Sequence, residues 1–134
     1  MSDGGDVLGV GIDIVSIDRF ARSAETPGFL ETLLGAAELS ALPPAGPRRM
    51  EAAAASFAVK EAVLKAVGTG AWQDGTDFPD VLVDLRQGPV GAVSVELGGG
   101  AAALVAQMGG ASVHAGLTRA GRRVVAFAML CAEA

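Results

Sequence analysis

The sequence predicts an α+β domain. Three features lead there: a β-branched apolar run near the start, an Ala-, Leu-, Glu- and Lys-rich stretch in the middle, and short apolar runs separated by glycines in the last third. Val7–Ile17 (VLGVGIDIVSI) fits a buried strand, interrupted only by Asp13. Phe20, Leu30, Leu33 and Leu34 then recur in a mostly helical segment broken near Pro27-Gly28. The turn cluster Leu42-Pro43-Pro44-Ala45-Gly46-Pro47 ends it, because no helix crosses so many prolines.

Arg48–Val67 contains neither Gly nor Pro and has strong helix propensity, and Gly68-Thr69-Gly70 stops it. Val81–Leu85 and Val93–Leu97 read as strands on either side of a turn at Gln87-Gly88-Pro89. Ala101–Met108 reads as a short helix ending at Gly109-Gly110. Ser112–Leu117 and Val124–Leu130 close the chain as two strands, with Gly121 near their turn. No repeat, linker or internal boundary divides residues 1–134, which read as one domain with residues 1–6 disordered.

Hydrophobic residues make up 51% of the 134 residues and charged residues 19%, enough for a core. Ala and Gly carry much of that share and aromatics only 4%, so burial comes from many small contacts, part of it expected at a subunit interface. A net charge of −5 excludes a general nucleic-acid binder, which needs a basic face for the phosphates. No apolar run reaches the ~18 residues of a membrane span. Met1–Asp6 is polar and acidic, unlike the start of a signal peptide, and the single Cys131 suits a reducing compartment. The expected location is the cytoplasm, with no nucleic-acid or membrane partner.

Asp13 is either a turn residue at a strand end or a carboxylate whose burial a cation or hydrogen bonds offset. On the central helix, Glu61 and Lys65 lie one turn apart, and Glu61 projects only ~40° from Phe57 on the apolar stripe. Lys60 flanks the stripe on its other edge. An i,i+4 pair on an exposed face, worth ~0.2–0.5 kcal/mol, accounts for the spacing equally well. If the strand lies against the helix, however, Asp13 and Glu61 converge on one cation. Mg²⁺ suits such oxygen ligands, since it takes one or two carboxylates and fills its other positions with waters and phosphate. Lys65, Arg48 and Arg49 would then supply positive charge for a diphosphate. His114, the one histidine, reads as a packed or edge residue of a strand.

Gly11-Ile12-Asp13-Ile14-Val15 with Arg19, and Phe57-Ala58-Val59-Lys60-Glu61-Ala62-Val63-Leu64-Lys65-Ala66 with Gly68-Thr69-Gly70, resemble the holo-(acyl-carrier-protein) synthases. These are the short 4′-phosphopantetheinyl transferases, and the likeness runs from about Val7 to Met129. It implies their fold, a mixed or antiparallel sheet packed on a long central helix, assembled as a homotrimer. It also implies transfer of 4′-phosphopantetheine from coenzyme A to a serine of an apo acyl carrier protein, Mg²⁺-dependent, with release of 3′,5′-ADP. Matched by motif, Asp13, Glu61 and Lys65 are the catalytic set, and Asp13 and Glu61 hold the metal. Arg48, Arg49, Lys65, Gly68, Thr69, Gly70 and Arg119 contact coenzyme A, and Arg19 and Arg22 receive the carrier protein. Two positions depart from the pattern. Ser56 stands where the family has Arg, and Gly116-Leu117-Thr118-Arg119 where it has S-x-x-H. These departures keep a second reading open, a relative that binds coenzyme A or a carrier domain without transfer.

Overall fold

The computed structural model describes residues 5–68, 77–85 and 92–133. Along the chain run β1 (Val7–Ser16), α1 (Ile17–Ser23), α2 (Phe29–Leu33), α3 (Ala36–Ala41), α4 (Pro47–Val67), β2 (Val81–Asp84), β3 (Ala92–Leu97), α5 (Gly99–Gln107), β4 (Gly110–Ala120) and β5 (Arg123–Ala132). The five strands form one sheet in the order β1-β5-β4-β3-β2, with every neighbouring pair antiparallel. The α+β expectation holds, and the sheet is antiparallel throughout.

Helix α4 is the centre of the core. Twelve of its residues are buried, among them Ala54, Ala58, Val59, Ala62, Val63 and Leu64, which meet Val124, Ala126, Ala128 and Leu130 of the sheet's inner face in one cluster. Pro47 opens the helix at a position where its missing N–H costs nothing, and Gly68 closes it in the left-handed region at φ 92°.

Strand and helix approach closely because the residues that face each other are small, Gly9 and Gly11 on β1 and Ala62 and Ala66 on α4. A Cβ on Gly9 would collide with the carbonyl oxygen of Ala66, and one on Gly11 with that of Ala62. Asp13 follows on the same strand face, two residues further along.

Most of the other boundaries agree with the sequence reading to within one or two residues, and three differences have a local reason. The first strand stops one residue early because the Ser16 side chain accepts a hydrogen bond from Arg19 N and caps α1, making Ile17 helical. The helical segment after it is three short helices: residues 24–28 separate α1 from α2, and Leu34-Gly35 separates α2 from α3. β4 and β5 are also longer than expected, since their pairing runs from Gly110↔Ala132 to Ala120↔Arg123.

The first strand is not buried on both sides. Val10, Ile12 and Ile14 are 64%, 63% and 61% exposed, because α4 covers one face of the sheet only. Opposite them on β5 stand Met129, Phe127 and Val125, so the outer face carries an apolar patch. Of the stretch expected to be disordered, residues 1–4 lie outside the described ones, and the Asp6 carbonyl accepts a hydrogen bond from Ala132 N at 2.8 Å. Among the described residues, no helix is long and apolar enough to cross a membrane.

Candidate active site

The close β1–α4 contact brings together three residues separated by some fifty positions in sequence. Lys65 donates from Nζ to Asp13 Oδ1 at 2.9 Å and to the Ile12 carbonyl at 3.0 Å. Glu61, one helical turn before Lys65, faces the same place. Its carboxyl is held above its ordinary value of 4.5, first by burial and then by the charge of Asp13, with Lys65 opposing. Asp13 and Glu61 thus lie within electrostatic reach of each other, and both line one cavity. Of the two readings of Asp13, the offset carboxylate is therefore the one realised. Likewise, Glu61 and Lys65 are not an isolated surface pair, since the lysine's partner is Asp13.

Asp13 and Glu61 line an open cavity of ≈ 370 Å³ together with Ser16, Arg19, Ser23, Phe20, Phe29 and Phe57. The rings are in contact: Phe20–Phe29 and Phe20–Phe57 centroids lie 5.6 and 5.5 Å apart. The cavity lining thus combines two carboxylates, one guanidinium and three phenyl rings. Two carboxylates lining one cavity fit a hard divalent cation such as Mg²⁺, whose remaining positions go to water and phosphate oxygens. Among the described residues, no third Asp, Glu, His or Cys joins them.

The structure does not gather the other expected site residues at this centre: Arg48 and Arg49 open α4, about 20 Å along the helix from Glu61 at ~1.5 Å per residue, and none of Arg48, Arg49, Arg119 or Gly68 lines the cavity. Arg22 is exposed on α1, a turn beyond Arg19. Arg48 is exposed at the start of α4, whereas Arg49 turns back and donates to the Pro43 carbonyl at 3.1 Å. Arg119 pairs with Glu51 of α4 at 3.0 Å, and Arg122 bridges Glu51 (3.4 Å) to Asp18 (2.9 Å). Arg122 in turn holds the Asp18 carboxyl below its ordinary range. Gly68 caps α4, while Thr69, Gly70 and the expected turn at 87–89 lie outside the described residues. Ser56 is buried beside a second cavity of ≈ 300 Å³, which Glu38, Asp84 and Glu96 also line. His114 is exposed on β4, with Nε2 3.2 Å from Ser112 Oγ.

Lys60, read from sequence as flanking the stripe, is entirely buried. Its Nζ donates to Glu38 Oε1 at 2.8 Å, to the Phe78 carbonyl at 3.0 Å and to the Val81 carbonyl. Glu38 in turn accepts from Gly35 N and Val83 N. One ammonium thus ties α4 to α3, to the 3₁₀ turn at Phe78–Asp80 and to β2. Burial lowers its proton affinity, opposed by Glu38. None of the three acceptors carries a sequence signal, because each lies some twenty residues away. Glu51 and Phe29 were equally silent.

A small α+β domain with an antiparallel sheet, and two carboxylates and a lysine gathered at a strand–helix contact, has the make-up of a group-transfer enzyme. The model of the 4′-phosphopantetheinyl transferase superfamily matches residues 9–127, and the chain belongs to that superfamily, within its holo-[acyl-carrier-protein] synthase family. It is 42% identical over 128 residues to a holo-[acyl-carrier-protein] synthase of Frankia casuarinae, covering 95% of this chain and 98% of the relative. The holo-[acyl-carrier-protein] synthase of Neisseria meningitidis superposes with a TM-score of 0.80 at 28% identity, over 93% of this chain and 98% of that one. The Bacillus anthracis synthase, solved in complex with CoA (3′,5′-ADP), superposes with a TM-score of 0.72 at 27% identity, over 94% and 97%.

Proposed function

We infer that this protein transfers the 4′-phosphopantetheine group of coenzyme A to a serine of an apo acyl carrier protein and releases 3′,5′-ADP. The observation that carries the reading is the meeting of Asp13, Glu61 and Lys65 across the β1–α4 contact, beside one open cavity. The bond formed joins the serine oxygen to the β-phosphorus of coenzyme A. The bond broken joins that phosphorus to the oxygen bridging the two phosphates, which leaves on 3′,5′-ADP; the serine gives up its proton.

Asp13 and Glu61 would hold Mg²⁺. Bound there, the ion neutralises the charge of the pyrophosphate and of the departing phosphate. Lys65, half exposed beside them, supplies a movable positive charge for the transferring phosphoryl group. Arg48, Arg49, Arg119 and the α4 C-terminus with Gly68-Thr69-Gly70 are the proposed contacts of the nucleotide end. Arg19 lines the cavity and Arg22 is exposed one turn on, a pair suited to an acidic carrier helix.

The apolar patch of Val10, Ile12, Ile14 and Phe127 supports assembly of copies of this chain into the proposed homotrimer. The free, buried Cys131 fits a reducing compartment, and we place the reaction in the cytoplasm.

Mass spectrometry of apo carrier proteins incubated with the protein, Mg²⁺ and coenzyme A tests the reading. Gain of the phosphopantetheine mass supports it. No gain, while a known synthase modifies the same carriers, overturns it. One observation favours binding without transfer: Arg119 is already committed to Glu51, and Ser56 offers no cation. Saturable heat of coenzyme A binding with no product would select that alternative.

A further inference from the structure

Lys65 and a divalent cation have claims on the same atom. The ammonium sits 2.9 Å from Asp13 Oδ1, in direct contact with one of the two carboxylates assigned to the metal. An ion coordinated by that carboxylate would stand beside the Lys65 charge, and the like charges repel. Asp13 sits on a strand whose neighbouring glycines are wedged against α4, so its backbone cannot retreat. Lys65 can: its side chain is 49% exposed, against 16% for Asp13, and rotation about a flexible four-carbon stem moves its amine. The Ile12 carbonyl that shares the amine belongs to the same strand and lets go in the same movement.

We propose that cation binding at Asp13 and Glu61 expels Lys65 from Asp13, so that the lysine becomes free to meet phosphate only after the metal has been loaded. The inference rests on the assignment of Asp13 and Glu61 as metal ligands and goes beyond it. The pair acts as an ordering device: the positive charge is stored on Asp13 and released by the ion that replaces it. By linkage, an ion that expels the lysine must bind more tightly where the lysine is missing.

The chain offers a clean readout, since Lys60 and Lys65 are its only lysines. Lys60 is fully buried with all three donors in use, which makes it an internal control. Brief acetylation of the whole protein, with and without saturating Mg²⁺, is quantified by peptide mass spectrometry. Calorimetry compares Mg²⁺ binding to the wild type and to Lys65→Met, without coenzyme A or carrier. The expected result is Lys65 labelling raised at least threefold by Mg²⁺, unchanged Lys60 labelling, and severalfold tighter Mg²⁺ binding by Lys65→Met. Unchanged Lys65 labelling with Mg²⁺ demonstrably bound overturns the exchange and leaves the metal assignment standing. Equal or weaker binding by Lys65→Met also overturns it. Absence of Mg²⁺ binding in both proteins overturns the exchange together with the metal assignment.

Discussion

Gly11→Ala is the sharpest test of how the site is built. The added Cβ would strike the Ala62 carbonyl and lie 2.9 Å from both Ala66 N and Lys65 Cβ. Two of these three are backbone atoms of α4, so no side chain can swing away; either β1 or the helix must shift. Overpacking costs typically ~1–3 kcal/mol, and rigid backbone neighbours place this case near the upper end, ~3 kcal/mol. At ~2.1 cal/mol/K per residue, a 134-residue chain has an unfolding entropy of ~0.28 kcal/mol/K, so the midpoint should fall by ~10 °C. Separation of β1 from α4 also draws Asp13 away from Lys65 and Glu61. Transfer activity, measured well below the new midpoint, should therefore fall ~100-fold, as a displacement of about 1 Å in a catalytic group does. Differential scanning fluorimetry and a carrier-modification assay read the two effects. A variant that melts within 2 °C of wild type with full activity would refute the reasoning, because β1 would then not rest on α4 as closely as described.

Three further outcomes follow from the same geometry. Lys60→Met should cost ~3–5 kcal/mol in denaturant unfolding by leaving Glu38 buried without its cation, and adding Glu38→Gln should restore part of that loss. Glu61 binds its proton more tightly folded than unfolded, so its contribution to stability is full below the ordinary value of 4.5 and declines as pH rises through its raised folded value. Glu61→Gln should flatten that part of a stability–pH profile, and an unchanged profile would count against it. Arg19→Glu should raise KM for the carrier protein ~10-fold and leave KM for coenzyme A within about twofold. Equal effects on the two constants would remove Arg19 from the docking surface.

What the sequence revealed and what it hid divides along physical lines. The central helix was legible because its length, alanine content and terminal glycine are local properties, and the Asp13–Glu61–Lys65 meeting because a carboxylate stood out in an apolar run. The role of Lys60 was not legible: helical geometry places it at a stripe edge, and only tertiary structure brings Glu38 and two carbonyls to its amine. The apolar run of β1 likewise hid which faces are covered, since Val10, Ile12 and Ile14 alternate with residues that α4 does bury. The commitment of Arg119 to Glu51 depends on a register between hairpin and helix that no spacing encodes.

The assignment of Asp13 and Glu61 to one ion is tested most directly by a crystal structure of the protein grown with Mg²⁺ and coenzyme A. The account predicts one ion per chain, bonded at ~2.0–2.1 Å to an oxygen of Asp13 and an oxygen of the pyrophosphate, with Glu61 in its coordination sphere. An ion bound away from these carboxylates, or a pyrophosphate seated outside the cavity between β1, α1 and α4, would contradict it.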